Sequence, residues 1–315
     1  MKTEKLISKI AYLYYFENMD LKKIASLFGV SYSTISRLLK KGREEGTIKI
    51  IINSIYDKEI DLEEKLKKEL KIKEVISVYA EERYSYDNIL NSLGNEAAVF
   101  LSSILKDRDN LGISLGKTIY NVVNSIRNIK QKNVNLIQLF GHTPWFPIEF
   151  TSLDFINKLQ SKFKWSYNFI NSELIADDKK TRKMLMNSQS IKKVFDLHKK
   201  IDIALMSIGS FIPKLPYYYN DYFNKEEIKE IIKKKIVGET VFCYFDINGN
   251  IIETELSKRM ICISTKNLKE IKNKILVAGG PNKSEAILGA ARAGLIDTLI
   301  TDSINIKKLF SLLNV

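Results

Sequence analysis

From residue 74 onward the chain alternates short apolar runs with amphipathic helical patterns, and this alternation limits the fold more than any other feature. The runs "EVISVYA", "DNLGIS", "VNLIQLFG", "IDIALMSIG", "KILVAGG" and "DTLITD" read as buried strands. Between them, "SLGNEAAVFLSSILK", "KTIYNVVNSIR", "SLDFINKLQSKF", "MLMNSQSIKKVFDLHKK", "KSEAILGAARAG" and "INIKKLFSLL" carry apolar residues at helical spacing. Buried strands separated by helices predict a mostly parallel α/β sheet with helices on both faces. "VFCYFDINGNII" predicts a hairpin turning at Asn248-Gly249, with Asp246 just before the turn. There is no internal repeat and no low-complexity tract.

Ligands of such sheets bind beyond the carboxyl ends of the strands, and the unusual residues gather there. They are Ser114-Leu115-Gly116-Lys117-Thr118, Gly141-His142-Thr143, Ser207-Ile208-Gly209-Ser210, and Gly279-Gly280 with Lys283 at the next helix start. Small residues let backbone N–H groups approach an anion, and a helix N-terminus adds its dipole. Each feature also has a plain reading. A glycine pair is a tight turn, Asp246 bonds its own backbone, His142 faces solvent, and Lys283 is a solvated lysine. Several such loops on one sheet describe a site for a small polar or phosphorylated ligand.

"GISLGKT" nearly spells a nucleotide-binding loop. Gly112 and Gly116 enclose three residues, where that motif requires four. With no strand ending in a convincing magnesium-binding Asp, ATP hydrolysis is excluded. Two histidines and two separated cysteines make no metal cluster, so no metal and no cofactor is expected.

The first 53 residues carry ten basic against five acidic residues. "EKLISKIAYLYYFE" has a helical stripe of Leu6, Ile7, Ile10, Leu13 and Tyr14. In "LKKIASLFGVSYSTISRLLKKGREEG", Leu21, Ile24, Ala25 and Phe28 face one way, Gly29 ends the helix, and Ser31 caps the next. Ala25 is small where two helices cross, and Val30, Ile35 and Leu38 fill the angle between them. This is a helix-turn-helix pattern, whose second helix enters the major groove. Its outward residues are Ser31, Tyr32, Ser33, Ser36, Arg37 and Lys40; Lys40, Lys41 and Arg43 suit phosphates. "GTIKIII" reads as the strand of a wing. An ordinary helical hairpin with a basic face is the bland alternative.

"DKEIDLEEKLKKELKIKEV" places Ile60, Leu62, Leu66 and Leu70 among dense charge, as a solvated connecting helix that could pack on a partner subunit. We therefore divide the chain into a DNA-binding domain over 1–55 and a linker helix plus ligand-binding α/β domain over 56–315. The net charge of +13 fits a polyanionic partner, although scattered lysine from coding bias explains it equally well. No stretch approaches about 18 consecutive apolar residues, and the start shows no signal-peptide core, so no membrane segment is expected. Cys243 and Cys262 lie in apolar runs as buried free thiols, which fits a reducing, cytoplasmic setting.

Taken together, "LKKIASLFGVSYSTISRLLKKGREEGTIKI", "LGISLGKTI", "DIALMSIGS", "IVGETVFCYFDINGNII" and "AGGPNKSEAILGAARAGLIDTLITD" resemble the SorC family of bacterial transcriptional regulators, grouped with deoxyribonucleoside regulators. The likeness spans essentially the whole chain. It implies a winged helix-turn-helix domain joined to a Rossmann-like domain similar to the sugar-phosphate isomerase and deaminase fold. It also implies homo-oligomers (dimers or tetramers), double-stranded operator DNA as partner, and a sugar or sugar-phosphate effector. Carried over by position, Ser114, Gly116, Lys117 and Thr118 line the phosphate or hydroxyl loop, with Gly141 and His142 beside it. Gly209 and Ser210 form a second loop, Asp246 accepts sugar hydroxyls and Lys283 supplies a cation. The chain departs from the family at His142, where a second glycine is common, and at Glu239, where Asp is usual. Tyr217 to Tyr219 is a further oddity near the expected pocket.

The expected function is a regulator, most simply a repressor, of a carbohydrate operon, and not an enzyme. A sugar-phosphate isomerase or deaminase is the main alternative, since fold does not imply function. It lacks paired carboxylates at strand ends, and His198 sits in a helix far from one. An RNA-binding protein is a third reading, without an RNA-binding signature to support it.

Overall fold

The computed structural model describes residues 2–17, 19–48, 56–127, 129, 133–143, 152–163, 165–211 and 224–314. The chain divides into two compact units, Met1–Asp57 and Lys58–Val315.

In the first unit α1 (Lys2–Ala11) runs on into one π-helical turn, Tyr12–Phe16. α2 (Leu21–Phe28) starts where the Asp20 carboxylate accepts the N–H groups of Lys22 and Lys23. It ends at Gly29, whose φ of 62° turns the chain out, while the Val30 N–H donates to the Ala25 carbonyl at 3.0 Å. α3 (Tyr32–Glu44) is capped by the Ser31 hydroxyl, which accepts the Thr34 N–H at 3.2 Å. Ile10, Ile24, Ala25, Ile35 and Leu39 form the small core. Leu6, read as part of the buried stripe, is instead exposed, because Ile7 and Ile10 already fill that face. A second close approach lies at Gly42, where a methyl group would overlap Ile7 and Ile48. The wing strand expected in "GTIKIII" falls mostly on residues 49–53, outside the described residues.

All but the first two residues of α4 (Tyr56–Leu70) belong to the second unit, and Leu66 and Leu70 are buried in its core. There follow β1 (Glu74–Val78), α5 (Tyr86–Ile104), β2 (Asn110–Ile113), α6 (Lys117–Ser125) and β3 (Asn135–Gln138). Next come α7 (Ser152–Lys162), β4 (Ser166–Asn168), α8 (Lys179–Asn187), α9 (Gln189–His198), β5 (Ile203–Met206) and β6 (Gly209–Ser210). After them come α10 (Lys225–Lys233), β7 (Gly238–Thr240), β8 (Cys243–Phe245) and α11 (Thr265–Glu270). The chain closes with β9 (Asn273–Val277), α12 (Ser284–Arg292), β10 (Thr298–Asp302) and α13 (Ser303–Leu313).

Seven strands form one parallel sheet in the order β1-β10-β9-β5-β2-β3-β4. From β2 the chain proceeds outward to β3 and β4; from β5 it proceeds the other way, to β9 and β10. The strand order therefore reverses between β2 and β5, where α/β sheets bind ligands. β6, β7 and β8 form a separate antiparallel sheet.

All six strands read from the sequence are present. The short elements β4, β6, β7, α10 and α11 were not read. β4 is a three-residue, half-exposed strand at the sheet's end, too short to show a pattern. α5 begins at Tyr86, ahead of the expected start, because the Ser85 hydroxyl accepts the Asn88 N–H at 3.2 Å. The helix expected over "MLMNSQSIKKVFDLHKK" is two helices, broken at Ser188, whose backbone is extended. Tyr217 to Tyr219 lie outside the described residues.

His198 is closer to a strand end than its sequence context indicates. Its Nε2 lies 2.8 Å from the carbonyl oxygen of Gln138, the last residue of β3. Nε2 therefore carries the proton and donates it, while the buried Nδ1 has no hydrogen-bond partner among the described residues. Burial pushes the imidazole pKa from 6.5 down to about 4, and the Gln138 bond offsets this only in part. The folded state holds a neutral ring, whereas the unfolded chain takes up a proton below about pH 6.5. The stability tied to His198 is complete above that value and falls as pH drops toward about 4, by about 3 kcal/mol. Urea denaturation of wild type and His198→Gln across this range checks it: the wild type should lose about 3 kcal/mol more than the variant.

Candidate functional site

The crossover between β2 and β5 is closed by one residue. The Ser114 N–H donates to the Leu205 carbonyl at 3.0 Å, and the Ser114 hydroxyl accepts the Ser207 N–H at 3.2 Å. Ser114 is buried and joins the two loops that the sequence reading singled out. Gly116 follows with φ 120° and ψ 171°, a region open almost only to glycine. It starts α6 without a side-chain cap hydrogen bond, so the first N–H groups of that helix have no side-chain acceptor from their cap residue.

Lys117 and Thr118 are both engaged by the start of α5. The Lys117 ammonium lies 2.6 Å from the Asp87 carboxylate and 5.5 Å from the Tyr86 ring centroid. Thr118 is hydrogen-bonded to the Tyr86 hydroxyl, while burial raises the Tyr86 pKa. The Tyr86 ring also lies against Gly280, where φ is 83° and a Cβ would overlap it. α5 and α6 are held together because Gly94 sits 2.8 Å, measured from an added Cβ, from the Asn121 backbone.

The Gly279-Gly280 turn is fixed from below by Asp302 and Asn305. Asp302 accepts the Gly280 N–H at 2.7 Å and the Asn305 N–H at 2.9 Å. The Asn305 amide donates to the Gly280 carbonyl at 2.9 Å and to Asp302 at 2.8 Å, and its oxygen meets the Ser284 hydroxyl at 2.8 Å. Neither residue was singled out from the sequence. The available signal was an Asp closing a strand, three residues before an Asn.

The small sheet brings in Glu239 and Lys283. Gly209 pairs with Glu239, and a side chain at Gly209 would collide with the Glu239 carboxylate. Burial pushes the Glu239 pKa up to about 7; the Phe242 and Gly209 N–H groups and the nearby Lys283 ammonium offset it in part. Lys283 donates to the Ile208 carbonyl at 2.9 Å, and burial lowers its own pKa against the pull of Glu239. The β7–β8 turn is made by Val241 (φ 46°) and Phe242 (φ 63°), two side chains poorly suited to a left-handed backbone. It is held by Glu239, which accepts the Phe242 N–H at 2.7 Å, and by the Phe242 ring set edge-on to Phe140 at 4.9 Å. Thr240 donates to the Ser207 carbonyl at 2.9 Å, tying this turn to the crossover.

Three of the residues picked from the sequence, Asp246, Gly141 and His142, make other contacts. Asp246 does not reach the loops: its carboxylate accepts the N–H groups of Asn248 and Asn250 and the Asn250 amide, all at 2.9 Å. Its turn packs against Gly289 and Arg292 of α12, about 9 Å along the helix from Lys283. The expected Asn248-Gly249 reversal is present, with Phe245 bridging Ile251. The acid at the crossover is Glu239, one of the noted family departures. Gly141 and His142 form an extended strip: their N–H groups donate to Ile261 and Ser172, and the His142 carbonyl accepts from Leu174. Gly141 is required for contact with the Glu173 backbone, and the His142 side chain is exposed. Ser210 pairs with Gly238 beside Gly209.

On the first unit, Ser31, Tyr32, Ser33, Ser36, Arg37, Lys40, Lys41 and Arg43 are all exposed along α3 and its cap. The Ser31 hydroxyl is shared with Ser33 and Thr34, each at 2.8 Å, so it belongs to the cap first. Lys40 and Lys41 approach Glu44 and Glu45 at 3.8 and 3.6 Å. Such exposed pairs contribute about 0–1 kcal/mol and leave both lysines free to meet a phosphate.

Among the described residues no helix is long and apolar enough to cross a membrane, and no cluster of His, Cys, Asp or Glu could hold a metal. Residues 55–311 match the Sugar-bind family of sugar-binding domains. The sorbitol operon regulator of Klebsiella pneumoniae is 28% identical over 303 residues, covering 95% of each chain. The deoxyribonucleoside regulator of Bacillus subtilis is 26% identical over 299 residues, again covering 95% of each. The crystal structure of full-length SorC from K. pneumoniae superposes with a TM-score of 0.76 at 27% identity, covering 97% of this chain and 98% of that one. These relatives are regulators of transcription and not enzymes, which removes the isomerase alternative. The chain belongs to the SorC/DeoR family of sugar-binding transcriptional regulators.

Proposed function

We propose that the α/β unit takes a sugar or sugar phosphate at the β2–β5 crossover, and that the ligand controls operator binding by the first unit. The domain boundary then falls near residue 55. The observation that carries this reading is the convergence at the crossover. Ser114, Ser207, Gly209, Thr240, Glu239 and Lys283 are linked there through direct bonds, pairing or charge. The uncapped start of α6 supplies N–H groups for an anion. Glu239 and Lys283 supply an acceptor and a donor for hydroxyls. In this reading Glu239 takes the role that position had given to Asp246.

The eight outward residues of α3 and its cap read double-stranded operator DNA, with Arg37 toward base edges and Lys40, Lys41 and Arg43 toward phosphates. The working form is a homo-oligomer, as paired half-sites require. Repression relieved by the sugar is the simplest mode. The ligand acts only by binding the DNA-competent and DNA-incompetent arrangements unequally.

An electrophoretic shift with the duplex upstream of the chain's own gene, at one stated salt concentration, tests the reading. Sequence-selective binding that changes with pentose or hexose phosphates is expected; loss of selectivity under all conditions would remove it. Arg37→Ala should weaken operator binding by about 1–3 kcal/mol and relax base preference. An unchanged preference would assign Arg37 to phosphate instead. Thr118→Ala should blunt the ligand response while DNA affinity without ligand is kept; an unaltered ligand titration would make the loop structural.

A further inference from the structure

We propose that Asp87 tempers the preference of the crossover site for anionic ligands. The Asp87 carboxylate competes with the ligand's anionic group for Lys117, which lowers the affinity for anions and leaves that for neutral ligands unchanged. The inference rests on the loop reading above and adds a residue pair that the loop itself does not contain.

One dipeptide at the start of α5 engages three loop positions. Asp87 pairs with Lys117 at 2.6 Å, Tyr86 bonds Thr118, and the Tyr86 ring covers Gly280. The placement is rigid. α5 and α6 meet backbone to backbone at Gly94 and Asn121, and Ser85 caps α5 one residue before Tyr86. Asp87 lies in the first turn of α5, where a negative charge is favoured. The pair itself is soft, with the Asp87 side chain 70% and the Lys117 side chain 45% exposed.

A carboxylate resting on the loop's cation has two consequences. A neutral sugar gains nothing from Lys117 that Asp87 does not already hold. A phosphate carries more charge than one carboxylate and presents three acceptor oxygens, so it can displace Asp87 and take the ammonium as well as the helix N–H groups. The charge favours phosphorylated over free sugars, and the Asp87 pair lowers the affinity for all anions by a set factor. Removing that competitor should tighten anion binding about two- to fivefold, the range of an exposed ion pair. The gain should shrink as salt is added.

Calorimetric titration of the full chain decides this, using ribose 5-phosphate, glucose 6-phosphate, inorganic phosphate, ribose and glucose against wild type, Asp87→Asn and Thr118→Ala. The expected result is Thr118-dependent binding of the phosphorylated probes, tightened about two- to fivefold in Asp87→Asn, with the free sugars unchanged. If the phosphates bind through Thr118 but Asp87→Asn leaves them unchanged or weaker, the competition is overturned and the loop reading stands. Equal tightening of charged and free sugars makes Asp87 a steric barrier and also overturns it. If no probe binds, or Thr118→Ala changes nothing, the loop reading falls and this inference falls with it.

Discussion

The bond from the Ser207 amide to the Ser114 hydroxyl marks the constraint on which the second unit depends. Parallel strands exchange their backbone bonds evenly until a strand ends. At β2 and β5 the chain leaves the sheet in opposite directions, so no regular ladder can continue. Ser114 supplies the missing acceptor from its side chain while its own N–H still pairs with Leu205. That substitution keeps two strand ends together, and the Thr240 bond to the Ser207 carbonyl ties the β7–β8 turn to them. A hydrophobic residue at 114 would leave the half-buried Ser207 N–H without its acceptor, a loss of about 1 kcal/mol.

Beside the crossover the protein buries polar groups and pairs them locally. Asp302 and Asn305 hold the Gly280 turn through a closed set of bonds. Glu239 and His198 behave differently, because burial moves each toward its neutral form. Their linkages to stability have opposite signs. His198, with its folded pKa lowered, loses its contribution as pH falls below about 6.5. Glu239, with its folded pKa raised, contributes fully below about 4.5 and loses that contribution as pH rises through about 7. The two windows overlap, so the acid response of the whole chain is a difference between them, and only paired variants separate the parts.

The sheet was legible in the sequence because its strands are buried on both faces and each is followed by a helical pattern. The helix-turn-helix was legible because Ala25, Gly29, Ser31 and Ile35 each have a local reason to be where they are. What escaped was set by tertiary contact. Val241 and Phe242 carry no turn signal; they adopt left-handed backbone because Glu239 holds the Phe242 amide and Phe140 receives the ring. Asp246 stood beside a strong turn sequence and was given a ligand role, yet its carboxylate completes that turn. Gly141 and Gly209 look alike as glycines after strands. One admits the Glu173 backbone and the other admits the Glu239 carboxylate, a distinction that no local pattern contains. Tyr86 and Asp87 precede the expected start of their helix and meet the loop only through the packing of α5 on α6.

Chain order leads from the start of the second unit to the residues that grip the loop after β2. α4 follows the first unit directly and lies on β1: its Glu63 accepts the Ser77 N–H at 2.6 Å, and Leu66 and Leu70 enter the main core. β1 leads within a few residues to Ser85, Tyr86 and Asp87, which grip Lys117, Thr118 and Gly280. A ligand that displaces Asp87 therefore acts on the start of α5, which follows the strand on which α4 rests. For this to reach the DNA-binding unit, the α4–β1 contact must have two arrangements of unequal ligand affinity. The Glu63–Ser77 bond is one carboxylate on one strand amide, set beside the apolar contacts of Leu66 and Leu70. A ligand shifts such a contact only as far as its affinities for the two arrangements differ.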